Sequence, residues 1–165
     1  PAARGCDVLL DFEPNLPQIE GDPSVLHQVF FNLMLNGLQA MPNGGQLTVS
    51  AAARRHDTSP EAGVLDVKFH DTGNGIPRHQ FRRVFDPFFS TKGPTSGTGL
   101  GLPVSLALVK SVGGDIQLTS AEGIGTTATV SLPIVERRSV SRLGAVPPRA
   151  TVMVVVADIH LRRTL

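Results

Sequence analysis

Apolar residues recur at helical spacing between Asp22 and Pro42. Asp at the N-cap and Pro at the first helical position predict that a helix begins at Pro23. The apolar stripe predicts one broad face packed on a core. It consists of Val25, Leu26, Val29, Phe30, Leu33, Met34, Leu38 and Met41. The residues 42–45, Pro-Asn-Gly-Gly, then end the helix and turn the chain.

Five segments have the composition or alternation of β-strands. Alternation is clearest over 64–70, where Val67 and Phe69 alternate with Lys68 and His70. The predicted strands are 6–13, 47–55, 64–70, 115–120 and 126–133, with a polar hairpin loop over 56–63.

Two further helices are predicted. A short helix covers 78–85, and an apolar helix covers 101–112 and ends at Gly113 and Gly114. A loop of glycine, proline, serine and threonine separates them over 86–99. Helices and strands are mixed without strict alternation, which predicts an α+β fold. We expect a two-layer α/β sandwich with a mixed sheet and about three main helices.

Composition predicts one domain followed by a tail. A chain of 165 residues that is 41% apolar can build a real core. A change to proline, arginine and serine predicts a linker. We therefore expect a domain over 1–135, a linker over 136–150, and a segment over 151–165 that runs from a strand into a helix. The first residue is Pro1 rather than Met, so we expect one module of a longer protein.

Charge and cysteine content narrow the function classes. A net charge of +1 gives no overall field that would favour nucleic acid or an anionic membrane, so no nucleic-acid partner is expected. The single cysteine, Cys6, excludes an internal disulfide and a cysteine-based zinc site, and predicts a reducing, cytoplasmic compartment. The sequence has neither an apolar run long enough to span a membrane nor a secretory signal at its start.

The predicted helix over 23–41 also has a polar face. Gln28, Asn32, Asn36 and Gln39 are three or four residues apart and share this face. A solvated face and a functional one are equally favoured by the helix alone. However, asparagine favours caps and turns over helix interiors, and a pair of amide oxygens could hold Mg²⁺.

Two glycine-rich segments and an aromatic segment complete the candidate chemistry. Asp71 ends a strand and is followed by Thr-Gly-Asn-Gly. This segment is either an ordinary turn or a loop whose Asp71 carboxylate accepts a hydrogen bond from a ligand's amino group. Glycines at 97, 99 and 101 precede a helix start, where N–H groups and the dipole attract anions. They match neither G-x-G-x-x-G nor a P-loop. Between them, Phe85 to Phe89 could anchor a lid whose Lys92 reaches a phosphate.

Together, residues 6–134 resemble the catalytic ATP-binding domain of sensor histidine kinases. The wider family includes gyrase-type topoisomerases, mismatch-repair ATPases and a heat-shock chaperone. The resemblance implies the Bergerat-type fold and four motifs in order: Asn32 and Asn36 as the N box, 71–75 as the G1 box, 85–89 as the F box, and 97–101 as the G2 box.

The resemblance also implies a site for ATP and Mg²⁺. Asn36 would be the Mg²⁺ ligand, Asp71 would accept from the adenine amino group, and Asn32, Asn36 and Lys92 would serve catalysis. The implied nucleotide-binding residues are Asn36, Asp71, Gly73, Gly75, Ile76, Phe85, Lys92, Gly97, Thr98, Gly99, Leu100, Gly101, Leu102 and Thr127.

Three positions depart from the family pattern or separate its branches. Gln28 stands where many histidine kinases carry Glu, which removes a candidate base, and Gly37 stands where Ala is usual. Asn32 stands where the ATP-hydrolysing relatives carry Glu, which favours a kinase. The competing interpretations are an ATP-gated conformational module of the hydrolase type and a non-catalytic scaffold.

The phosphoryl acceptor is expected outside this chain. His56 and His70 are each followed by Asp, but in a loop and at a strand end, and His27 is followed by Gln. No pair of histidines has the i,i+4 spacing of a metal site. The resemblance implies a histidine on a dimerisation hairpin of the same protein, a response regulator receiver domain as partner, and a homodimeric full-length protein that could be membrane-anchored.

The segment 151–165 resembles the first strand and helix of a receiver domain. Val156 and Ala157 occupy the places where receivers usually carry an acid pair, and Asp158 follows them. A structured tail is an equal alternative.

Overall fold

The computed structural model describes residues 5–19, 21–56, 59–90 and 98–134. The helices and strands in these ranges, in chain order, are β1 (Cys6–Phe12), α1 (Pro23–Gln39), β2 (Gly45–His56), β3 (Ser59–Asp71), α2 (Arg78–Phe81), α3 (Gly101–Ser111), β4 (Asp115–Ala121) and β5 (Gly125–Pro133).

The five strands form one mixed sheet in the order β1-β2-β3-β5-β4. β1 is parallel to β2, and the other three pairings are antiparallel. Helices α1 and α3 contact each other and the sheet. The predicted α+β fold with a mixed sheet is confirmed. The register places Asp71, the last residue of β3, opposite Leu47 of β2 and Thr126 of β5.

The core lies between α1 and the inner face of the sheet. The apolar stripe predicted for α1 is buried at Leu26, Val29, Phe30 and Leu33, each at most 3% exposed. The ring of Phe30 lies 5.5 Å from that of Phe69 on β3, centroid to centroid. Burying one such side chain contributes about 1.5–3 kcal/mol relative to leaving it exposed. This packing holds the polar side of α1 in a fixed place against the edge of the sheet.

The start of α1 follows the predicted capping chemistry. The Asp22 side chain accepts a hydrogen bond from the Ser24 N–H at 2.8 Å, and Pro23 is the first helical residue. The helix ends at Gln39, and Ala40 and Met41 continue with backbone hydrogen bonds to Asn36, Gly37 and Leu38.

Two regions differ from the sequence prediction by more than two residues. The polar segment 56–63 was predicted as a loop, but β2 runs to His56 and β3 starts at Ser59, because cross-strand pairing continues beyond the apolar alternation. The helix predicted over 78–85 stops at Phe81. The chain then continues in turns, with Arg83 N–H donating to Gln80 and Asp86 N–H donating to Arg83.

Some predictions lie outside the described residues. These are the linker over 136–150, the segment over 151–165, and the individual residues Lys92 and Gly97. Among the helices that the structure describes, none combines the length and apolar character needed to cross a bilayer.

Candidate functional site

A cavity of about 590 Å³ opens between the polar side of α1, the start of α3 and the ends of β3 and β5. This volume suits a small organic ligand. Three of the four predicted polar residues of α1 line it, namely Asn32, Asn36 and Gln39. Gln28, the fourth, is exposed and lies outside the lining.

Asp71 is the buried carboxylate of this cavity, with 5% of its surface exposed. Its Oδ1 accepts hydrogen bonds from the backbone N–H of Gly73 at 2.9 Å and of Thr126 at 3.3 Å. Within the described part of the chain, both hydrogen bonds go to the same oxygen. Oδ2 is therefore the oxygen available to accept a hydrogen bond from a ligand.

The electrostatics of Asp71 follow from its burial. Removal from water raises the pKa of this carboxyl above its ordinary value, and the two backbone N–H groups and nearby His70 oppose the rise without cancelling it. An acceptor in a low-dielectric environment discriminates strongly between a ligand that donates to it and one that does not, because an unmatched buried carboxyl is costly.

The G1 glycines serve close backbone packing. A Cβ at Gly73 would lie 2.5 Å from the Ala40 carbonyl oxygen, and a Cβ at Gly75 would collide with the Ala121 carbonyl oxygen. Gly75 also has a φ of 66°. Backbone hydrogen bonds from Asn74 N–H to Ala40 and from Gly123 N–H to Asn74 hold the loop between α1 and the β4–β5 turn. The glycines thus allow the loop to seat Asp71 at the cavity.

Gly37, one of the departures from the family pattern, lies where α1 approaches Leu47 and Asp71. A Cβ at this position would lie 2.9 Å from Leu47 Cδ1 and 3.5 Å from Asp71 Cβ. The missing side chain lets α1 approach the strands closely at the point where Asp71 meets the cavity.

The start of α3 borders the cavity through Gly101 and Leu102. Its N-cap residue, Leu100, makes no side-chain hydrogen bond to the helix. The first N–H groups of a helix have no partner within the helix. They can therefore bind an anion at the cavity.

Backbone contact between the F and G2 boxes requires Gly99. Phe88 N–H donates to the Gly99 carbonyl at 3.1 Å, and a Cβ at Gly99 would lie 2.5 Å from the Phe88 carbonyl carbon. Gly99 and Phe88 both have a φ of 66°. Thr98 and Gly99 line the cavity, whereas Leu100 does not. Of the predicted lid over 86–99, residues 91–97 lie outside the described residues.

Two of the predicted nucleotide-binding residues, Phe85 and Thr127, do not line the cavity, and a nearby residue of the same type lines it in each case. Phe85 packs against the core, and Phe89 lines the cavity with the Arg83 guanidinium 4.6 Å from its ring centroid. Thr127 lies away from the lining and its Oγ1 is 2.9 Å from His70 Nδ1. The cavity position belongs to Thr126, because side chains alternate across a strand.

Sequence reasoning placed Phe89 in the F box but not among the nucleotide-binding residues, and it missed other lining residues, including Leu118, Glu122 and Thr126. Of these three, Thr126 had a usable signal, since pairing β3 with β5 in register places it opposite Asp71. Ile76, which was predicted, does line the cavity, and its N–H donates to Ser120 Oγ at 2.8 Å.

The chain matches the family described as "Histidine kinase-, DNA gyrase B-, and HSP90-like ATPase" over residues 21–136. This chain belongs to that family. The motif resemblance over 6–134 is thereby confirmed as family membership.

Two kinases are among the curated relatives that this chain resembles. Sporulation kinase C of Bacillus subtilis (strain 168) is 42% identical over 116 residues, which cover 70% of this chain and 25% of the relative. Sensor histidine kinase ZraS of Escherichia coli (strain K12) is 40% identical over 135 residues, which cover 80% of this chain and 27% of the relative. The chain therefore spans about a quarter of the length of these relatives.

A solved structure agrees with the fold. The structure of the mycobacterial sensor histidine kinase MprB superimposes with a TM-score of 0.62 at 27% identity, covering 79% of this chain and 83% of that chain.

Proposed function

We propose that this chain is the ATP-binding catalytic domain of a two-component sensor histidine kinase. It would transfer the γ-phosphoryl group of ATP to a histidine on a dimerisation hairpin outside this chain. The observation that carries the proposal is Asp71, a buried carboxylate with Oδ2 available at a cavity of nucleotide size. Family membership and the sensor-kinase relatives support it.

The cavity offers a group for each end of ATP. Asp71 accepts a hydrogen bond from the adenine amino group, which distinguishes adenine from a base with a carbonyl there. The N–H groups at the start of α3 and the backbone around Gly99 and Gly101 hold phosphate oxygens.

The residues present fit Mg²⁺ bound together with the triphosphate. Within the described residues, no cluster of three or more His, Cys, Asp or Glu side chains is placed to hold a metal ion. The cavity instead offers the amide oxygens of Asn36 and Asn32. Mg²⁺ accepts such a site because it keeps several waters and takes phosphate oxygens as ligands. When bound, it neutralises the negative charge of the phosphates.

Catalysis by this chain would rest on positioning. Asn32 and Asn36 orient the triphosphate from α1, and the positive charge of Lys92 stabilises the phosphoryl group during transfer. Asn32 has no carboxylate to activate water, which favours transfer to a histidine over hydrolysis.

Several wider assignments belong to the same proposal. The chain comprises a catalytic domain over 1–135, a linker over 136–150, and a segment over 151–165 that begins a receiver domain or forms a structured tail. The partners are the histidine-bearing hairpin and a response regulator receiver domain. The full-length protein is a homodimer whose catalytic domain is cytoplasmic, with or without a membrane anchor.

The direct test is phosphoryl transfer from γ-labelled ATP. The chain is incubated alone and then with a separately purified histidine-bearing hairpin of the same protein. We expect acid-labile label on the hairpin and none on the chain. Label on the isolated chain would contradict the proposed division of labour. Steady hydrolysis of ATP without an acceptor would favour the ATP-gated alternative.

A further inference from the structure

Ser105 is a buried hydroxyl that contacts the cavity only through another side chain. It lies on α3, its residue is 0% exposed, and it does not line the cavity. The Asn32 Nδ2 on α1 donates to its Oγ at 3.4 Å. No other side-chain hydrogen bond of Ser105 occurs within the described residues. Alanine would suit a buried helical position better on both propensity and solvation grounds. The hydroxyl therefore has its use in the contact with Asn32.

The contact holds the Asn32 amide in place at the cavity, because the amide nitrogen is bonded to a residue that is itself fully buried. An amide presents a donor nitrogen at one end and an acceptor oxygen at the other. Asn32 lines the cavity, and its amide oxygen takes no part in the contact with Ser105.

We propose that Ser105 is a positioning residue that holds the Asn32 side chain in place at the cavity, where the Asn32 amide oxygen serves Mg²⁺·ATP. An amide oxygen there accepts from metal-bound water or ligates a hard cation, whereas an amide nitrogen would bind a phosphate oxygen directly. The inference rests on the proposed function, since it assigns a role toward Mg²⁺·ATP. It predicts that Ser105 matters only for the Mg²⁺-dependent part of nucleotide affinity.

The test compares Ser105→Ala with Ser111→Ala. Ser111 is on the same helix but is exposed, and its Oγ donates to the Leu108 carbonyl at 2.7 Å. Binding of AMPPNP to the whole chain is measured by calorimetry with saturating Mg²⁺ and with a chelator. For Ser105→Ala we expect affinity about two- to five-fold weaker with Mg²⁺ and unchanged without it. Ser111→Ala should match the wild type in both conditions.

Two further measurements separate a positioning role from a structural one. Removing the hydroxyl from an Asn32→Ala background should cause no additional loss of Mg²⁺-dependent affinity, because the effect passes through Asn32. The side-chain amide NMR signals of Asn32 should shift in Ser105→Ala and stay in place in Ser111→Ala.

The outcomes distinguish this inference from the proposed function. If the wild type binds AMPPNP and the two serine variants bind it with equal affinity, the role of Ser105 is overturned and the proposed function is left intact. A loss of affinity without Mg²⁺ in Ser105→Ala would show that Ser105 acts by a route that does not depend on Mg²⁺, and would also overturn the inference. Absence of AMPPNP binding by the wild type would contradict the proposed function and the inference with it.

Discussion

Asp71→Asn should weaken ATP binding strongly while leaving the fold intact. The Oδ1 position accepts from two backbone N–H groups, at 2.9 Å and 3.3 Å, so the asparagine oxygen is held there. The amide nitrogen then occupies the place of Oδ2 and meets the adenine amino group, donor against donor. An unsatisfied buried group of this kind costs about 1.5–3 kcal/mol, which corresponds to roughly a 10- to 150-fold loss of affinity.

Titration with a fluorescent ATP analogue measures this change, with Asp66→Asn as the matched control. Asp66 is a buried carboxylate on the same strand, 9% exposed, but it hydrogen-bonds Arg54 and Ser131 away from the cavity. We expect near wild-type affinity for Asp66→Asn. An unchanged dissociation constant for Asp71→Asn would refute the assignment of Asp71 as the adenine acceptor.

Asp71→Asn should also be more stable than the wild type at neutral pH when no ligand is bound. The folded-state pKa of Asp71 is raised above 3.8, chiefly by burial, so the folded state holds this proton more tightly than the unfolded state. The stability of the wild type therefore decreases as the pH rises from about 4 through the folded pKa, and stays lower above it. Thermal unfolding at neutral and acid pH measures the gain for Asp71→Asn, which should shrink at the acid end. A gain that is independent of pH would contradict this account.

Three further predictions concern packing, transfer and acid stability. Gly75→Ala should lower the free energy of unfolding by about 2 kcal/mol or more, whereas Gly123→Ala, which also has positive φ but nothing within 4 Å of its Cβ, should cost only the backbone strain. Equal melting temperatures for the two would refute the clash. Asn36→Asp should reduce phosphoryl transfer more than AMPPNP affinity, and Asn43→Asp, with the same charge change at an exposed residue outside the cavity, should alter neither. For Asp66, burial favours the protonated form, but hydrogen bonds from its neighbours outweigh it and keep the pKa below 3.8. Asp66→Asn should therefore destabilise the protein at neutral pH, with a deficit that disappears in unfolding titrations as the pH falls through the folded pKa.

Local chemistry predicted the framework of this protein well. The Asp22 cap, the proline after it and the 3.6-residue apolar stripe define α1, because capping and amphipathicity are properties of neighbouring residues. The glycine clusters and Asp71 could also be predicted, because each motif consists of residues that are neighbours along the chain. The β2–β3 hairpin is longer than predicted because cross-strand pairing set its bounds, and polar residues join the sheet when their partners do.

Some residues of the site could be predicted from the sequence, and others depended on the tertiary structure. Spacing along α1 was enough to bring Asn32 and Asn36 to one face, since residues four apart lie one turn apart. The choice of Thr126 over Thr127 depended on the register between β3 and β5, which shifts a side chain from one face of the sheet to the other. Likewise, only the tertiary packing places Phe85 against the core and Phe89 in the cavity lining.

The sequence by itself determined the motifs, their order and the family. Tertiary structure alone determined which oxygen of Asp71 is open, how closely Gly37 approaches Leu47 and Asp71, and that Ser105 reaches Asn32 from 73 residues away. The physical reason is that a hydrogen-bond partner or a steric limit is a property of atoms brought together by folding. Residues distant along the chain carry no local pattern that reveals such a contact.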